Sequence, residues 1–228
     1  MPAERLRAAI WPLSDDEGVG EVADSTFRAT MCRARAALGS DAEGAPHLPE
    51  SRDGTYALSP GFGCDWADFE ALARQARSAP GPEAMALLGR ALGLVRGAPF
   101  ADAPRGCYGW AWDEQLVSVI EVAVADAAER LAELALGAGD HATACWAAGR
   151  GLLVVPSRES LYRLRMRAAS EAGDPDGVEQ AYTEVCRAAR VLDAEPQDET
   201  TALYQRLRRA ARSGGPGATA EAALARAR

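Results

Sequence analysis

From residue 66 onward the apolar positions recur with a helical period, and glycine, proline and aspartate cut the recurrence into segments. Phe69, Leu72, Ala73 and Ala76 define a helix over 66–77, with Asp65 as its N-cap and Pro80-Gly81-Pro82 as its stop. Met85, Leu88, Leu92 and Val95 mark a second helix over 83–96 that Gly97 ends. A loop over 98–109, containing prolines and aromatics, leads into a long helix over 110–136. Leu116, Ile120, Ala123, Ala127, Leu131 and Leu134 form its inward stripe. After the turn Gly137-Ala138-Gly139-Asp140, helices are predicted over 142–155, 160–172, 176–192 and 199–212. The tail over 213–228 is rich in Gly, Ala and Pro and is expected to be flexible.

The first 64 residues follow a different pattern. A short amphipathic helix over 4–11 ends at Pro12, and an acidic loop runs over 14–21. A helix over 24–38 then places Phe27, Met31, Ala34 and Leu38 on its buried face and stops at Gly39. Asp53-Gly54 is a tight-hairpin signal between strand-like pieces within 47–59. Helix, helix, hairpin is the order of the back half of a winged helix.

The helical part repeats itself. Ala-Gly-Asp stands at 138–140 and again at 172–174, a period of 34 residues. Leu131, Ala132, Ala144, Gly151 and Pro156 fall where a 34-residue helix-turn-helix repeat places a Leu, small residues and a closing Pro. Gly89 to Val95 echoes Gly149 to Val155. The expected fold class is therefore mainly α: a TPR-like helical repeat, or α-α superhelix, preceded by a partial winged-helix segment with a β-hairpin. The expected boundaries are 1–64 for the winged-helix part, 65–212 for the repeat and 213–228 for the tail.

Composition narrows the function. Five cysteines without a CxxC argue against a disulfide scaffold and a zinc ribbon, and fit a reducing, cytoplasmic setting. The apolar stretch 116–136 carries Glu121, Asp126, Glu129 and Glu133, so no membrane contact by this chain is expected. All 25 basic residues are arginine, yet the net charge is −8. Binding of nucleic acid must then come from a local patch. Over residues 1–66, six arginines face eleven acids, but the 24–38 helix sets three arginines against Asp24 alone. Its face opposite Phe27 presents Ser25, Thr26, Arg28, Cys32, Arg33 and Arg35. Short hydroxyls can donate to phosphate, and arginine reaches phosphates or guanine edges. Arg52, beside the hairpin tip, is placed as a wing residue.

Other candidates are weaker. His47 and His141 have no partner at ligand spacing, so neither a metal nor any other cofactor is expected. No Ser or Cys sits in a nucleophile elbow, Asp15-Asp16 lie in a loop, and Gly61-Phe62-Gly63-Cys64 is only a fragment of a phosphate loop. No enzyme is expected. The cysteines read mostly as packing residues. Arg158, Arg163, Arg165 and Arg167, and Arg206, Arg208, Arg209 and Arg212, read as partners of neighbouring acids or as solvated, with an acidic partner's contact surface as the alternative. Tyr108, Trp110 and Trp112 read as a cap on the helical core or as a peptide groove.

Several strings together resemble a known family. Arg5-Leu-Arg-Ala-Ala-Ile-Trp11-Pro, the run from Ser25 to Gly39, Asp53-Gly-Thr-Tyr-Ala-Leu58 and Cys64-Asp-Trp-Ala-Asp-Phe69 resemble the winged-helix half of SARP-type activators. Val95-Arg-Gly-Ala-Pro-Phe100-Ala, Tyr108-Gly-Trp110-Ala, Gly151-Leu-Leu-Val-Val-Pro156 and Gly173-Asp174 with Gly177-Val178 resemble the bacterial transcriptional activator domain that follows it. The resemblance covers roughly 3–210. It implies a TPR-like module fused to an OmpR-like winged helix in a transcriptional regulator. The 24–38 helix would be the recognition helix, with Ser25, Thr26, Arg28, Arg33 and Arg35 facing DNA and Arg52 in the wing. DNA, RNA polymerase or another protein, and a second copy of the chain are the implied partners. The family's winged helix has a small sheet and a first helix ahead of the Arg5–Trp11 string that this sequence does not contain, so Phe27 and Met31 are expected to lack part of their core. The Cys64-Asp-Trp and Tyr108-Gly-Trp strings are most similar to a related group of large membrane proteins with a LysM module. That similarity implies the alternative of a protein-interaction module without DNA binding.

Overall fold

A computed structural model of the chain describes residues 1–11, 23–101 and 108–213. The acidic loop, the stretch 102–107 and nearly all of the tail therefore lie outside the described residues. Ten helices form among those that are described: α1 (Ala3–Ile10), α2 (Asp24–Leu38), α3 (Asp65–Ser78), α4 (Gly81–Gly93), α5 (Gly109–Asp113), α6 (Leu116–Gly137), α7 (His141–Leu152), α8 (Glu159–Glu171), α9 (Pro175–Val191) and α10 (Asp198–Ser213). None of them is long and apolar enough to cross a membrane. The chain divides into two compact units, Met1–Asp68 with Phe100–Ser118, and Phe69–Pro99 with Val119–Arg228.

In the second unit the turns from α6 to α7 and from α8 to α9 are closed by the same device. Gly139 and Gly173 take φ of 76° and 73°, the left-handed conformation that glycine adopts without steric penalty. The next amide in each case reaches back five residues, Asp140 N to Ala135 O and Asp174 N to Ala169 O, both at 2.8 Å. This is the Schellman pattern, which satisfies the last carbonyls of a helix. The same aspartates then cap the next helix. Asp140 accepts from Thr143 N at 3.0 Å, and Asp174 accepts from Gly177 N at 2.9 Å.

Such short turns force close packing. Leu131, Ala132, Ala144 and Gly151 are all buried. A methyl added at Gly151 of α7 would sit 2.6 Å from Leu161 of α8 and 2.8 Å from Ala128 of α6. Polar cross-braces fix the same helices. Arg158 reaches Glu129 of α6 at 2.8 Å, and Ser160 donates to the same carboxylate. Burial alone would raise the pKa of Glu129, but these hydrogen bonds outweigh it and hold the carboxyl below its ordinary range. Arg163 donates to Gln197 Oε1 and to the fully buried Thr200, both at 2.9 Å, and Glu159 accepts from Gln197 N, so the start of α10 is held on α8. Tyr182 and Tyr204 stack between α9 and α10 with ring centroids 3.9 Å apart.

In the first unit Phe27 is the hub. It is 2% exposed, Met31 is 6% exposed, and both pack with buried Leu48 and with Leu6, Trp11 and Tyr56. Trp11 and Tyr56 meet the Phe27 ring edge-on at 6.4 and 5.7 Å. The expectation that Phe27 and Met31 lack part of their core is therefore wrong: α1 and the 47–56 segment close over them.

Three further expectations are corrected. No strand forms among the described residues. Asp53 and Gly54 do make a two-residue turn, with φ of 51° and 72° and both amides of Arg52 and Thr55 bonded to the opposite carbonyl. However, Pro46 and Pro49 lack the N–H a ladder needs, and the pairing stays at isolated bridges, from Thr55 to Arg52 across the turn and to Pro2. The helix predicted over 110–136 is broken into α5 and α6 because Gln115 takes φ of 57°, which no helix accommodates. The second predicted helix ends at Gly93, before Gly97, and the freed carbonyl of Val95 accepts from Arg150 at 3.0 Å.

Gly151→Ala is expected to lower stability by about 1–3 kcal/mol, since neighbouring side chains must shift to admit the methyl. Gly149→Ala lies in the same helix, but its methyl meets open space. It is expected to raise stability by roughly 0.5–1 kcal/mol through helix propensity alone. Urea melts followed by circular dichroism separate the two, and shifts of the same sign would contradict the packing.

Candidate nucleic-acid interface

The apolar stripe of α2 orients the candidate face. With Phe27 and Met31 turned into the core and Ala34 and Leu38 packed beside them, Ser25, Thr26, Arg28, Cys32 and Arg33 are exposed on the other side. Arg33 makes one weak contact, 3.4 Å to Thr30 Oγ1. Arg28 lies 3.9 Å from Asp24, one helical turn away, and is 79% exposed.

Arg35 is different. It is half-buried, its Nε donates to Leu48 O at 2.8 Å, and Nη2 lies 3.5 Å from Pro49 O. Its guanidinium ties α2 to the segment that leads to the Asp53-Gly54 turn. Arg52 is exposed on that turn. The structure thus brings Ser25, Thr26, Arg28 and Arg33 onto one helix face and gives Arg35 a backbone to hold.

The charged residue that sequence reasoning missed is Arg7. From α1 it pairs with Asp24 in the first turn of α2, and its guanidinium carbon sits 4.7 Å from the centroid of the Phe27 ring. The hydrogen bond from Arg7, and next its charge, hold the Asp24 carboxyl below the ordinary aspartate range. Partial desolvation opposes this, and Arg28 adds a smaller lowering. No local signal announces the pair, because 17 residues separate its members.

The remaining candidates do not converge. Among the described residues no group of three or more His, Cys, Asp or Glu side chains could hold a metal ion. His47 meets Ser59 Oγ at 3.3 Å, and His141 lies 3.8 Å from Glu171. The reading of the cysteines as packing residues is corrected. Cys32 and Cys64 are exposed and Cys145 and Cys186 only half-buried, while Cys107 lies outside the described residues. Burial pushes the Cys145 thiol up, away from reactivity. Arg158, Arg163 and Arg165 are engaged with acids of neighbouring helices, the last at 2.5 Å from Glu184. Phe100, Tyr108 and Trp110 cluster with centroids 5.5 to 6.5 Å apart, but Trp112 is 60% exposed and caps nothing among the described residues.

The second unit is thus a set of packed helices whose turns recur with the same caps. The bacterial transcriptional activator domain family matches residues 64–208, well over half of the chain, and the chain belongs to that family. No curated protein matches it.

The lowered Asp24 carboxyl sets a pH dependence. Its contribution is fully present above the ordinary aspartate value and is lost as pH falls towards the lower folded value. Asp24→Asn should therefore show less acid-induced loss of helix than the parent chain. Acid titration by circular dichroism checks this, and superimposable curves would rule it out.

Proposed function

We propose that the chain is a transcriptional regulator of the SARP type that binds DNA through α2. The observation that carries this reading is one exposed helix face bearing Ser25, Thr26, Arg28 and Arg33, backed by the closed Phe27 core and followed by a bacterial transcriptional activator domain. In this reading residues 1–64 act as a partial, OmpR-like winged helix and residues 65–212 as a TPR-like domain. Arg28 and Arg33 contact base edges or phosphates, Ser25 and Thr26 donate to phosphate, and Arg52 touches the backbone beside them. Arg35 is a positioning residue that keeps the turn beside the helix. The helical domain contacts RNA polymerase or another protein, or a second copy of the chain, in the cytoplasm. The repeated 34-residue turn supports the TPR-like assignment, because stacked hairpins of that kind expose extended surfaces for partners.

DNA binding of this kind is salt-dependent, because each neutralised phosphate releases counterions. Arg28→Ala and Arg33→Ala are each expected to weaken binding to fragments from upstream of the regulated genes by about 1–3 kcal/mol where a base edge is read. For a phosphate contact the salt slope should fall by about one instead. Fluorescence anisotropy over a salt series reads both. A chain that retards no upstream fragment at low salt would end the DNA reading and leave a protein-interaction module.

A further inference from the structure

We propose that Arg7 of α1 is a DNA-phosphate contact held in reserve by Asp24, so that Asp24 sets the affinity of the α2 face. This rests on the DNA reading above and adds to it a residue from outside the recognition helix.

Arg7 is aimed at the start of α2. Its guanidinium lies over the Phe27 ring, with the charged end directed at the first turn of α2. There the guanidinium meets the carboxylate of Asp24, which is 65% exposed. Asp24 therefore stands where the solvent, or an anion from solvent, also reaches. Arg28, one turn further along, approaches the other oxygen of the same carboxylate at 3.9 Å. Two guanidiniums from two helices thus converge on one exposed anion.

A carboxylate between two arginines presents oxygen acceptors much as a phosphate does, and arginine recognises both with the same planar fork. The Arg7 side chain is not sealed off: it is 29% exposed beside the Asp24 carboxylate. If Asp24 yields its place, the group that replaces it meets Arg7 and Arg28. A backbone phosphate lying along the α2 face has the charge and the acceptor geometry for that position.

Asp24 consequently acts on DNA binding in two ways. It repels phosphate directly, and it occupies the two arginines nearest the start of the helix. Only the second effect depends on Arg7, which makes it separable.

The test compares Asp24→Asn, the double variant Asp24→Asn/Arg7→Gln, and Glu50→Gln, which makes the same charge change at another exposed site. Each full-length chain, checked for an unchanged helical spectrum, is titrated with a short fluorescent duplex of mixed sequence across a salt series. Asp24→Asn should bind several-fold to about tenfold more tightly than the parent at low salt, a gain of the size expected for one charge-assisted hydrogen bond. Its salt slope should steepen by roughly one counterion. The double variant should lose the part of that gain that exceeds Glu50→Gln. The proposal is overturned if Asp24→Asn gains no more than Glu50→Gln, or if that excess survives removal of Arg7. Binding by the parent chain with either of those results leaves the DNA reading standing and removes only Arg7. Absence of binding by every variant removes both.

Discussion

At Gly139 and Gly173 the backbone must enter the left-handed region so that one helix can end and the next begin within three residues. A side chain there is disfavoured by roughly 1 kcal/mol. Asp193, at φ of 51°, makes the same turn at the end of α9, with Ala194 N bonded to Ala189 O, so the geometry rather than glycine itself is what the fold requires. Because an aspartate cap follows at once, the direction of the next helix is fixed within a residue. Neighbouring helices then approach so closely that only small side chains fit between them, which is why Ala128, Ala144, Ala147, Ala148 and Gly151 are buried together. The rest of the second unit, including its ionic cross-braces, follows from that spacing.

What was legible in the amino-acid sequence was whatever a short stretch determines for itself. The Ala-Gly-Asp turns and the apolar periods of α7 to α10 are of this kind, and so is the exposure of Arg28 and Arg33 opposite Phe27 and Met31. The failures share a cause. Asp53-Gly54 encodes a turn, but whether strands extend from it depends on partners, and beyond Arg52 across the turn Thr55 bridges only to the distant Pro2 among the described residues. Gln115 carries no signature of a left-handed conformation, and Glu114 beside it is bound by Arg5, 109 residues away, at 2.6 Å. Arg35 illustrates a further limit. A helical wheel gives the direction in which a side chain leaves the helix, not how far a long one travels, and this one travels back to a main-chain carbonyl.

Arginine accordingly has two uses in this chain. Arg158, Arg163 and Arg165 brace one helix against another, and each acts where an acid or amide from a different helix is within reach. Ion pairs that are partly buried and backed by further hydrogen bonds hold geometry better than exposed ones, whose contribution is small. On α2 the arrangement is reversed: Arg28 and Arg33 are exposed and braced only by a turn-to-turn neighbour. Side chains left in that state keep their capacity for an external anion.

The net charge of −8 bears on such a face less than it first suggests. At physiological ionic strength the screening length is about 8 Å. Acids scattered over the surface beyond that distance contribute little to the potential felt by a phosphate on α2. The groups that decide it are the near ones, and the nearest acid to Arg28 in the ion pairs of this unit is Asp24. The same carboxylate is bound by Arg7. Local arrangement therefore outweighs total charge, and the acid that Arg7 and Arg28 share at the start of α2 is the one placed to govern an anion there.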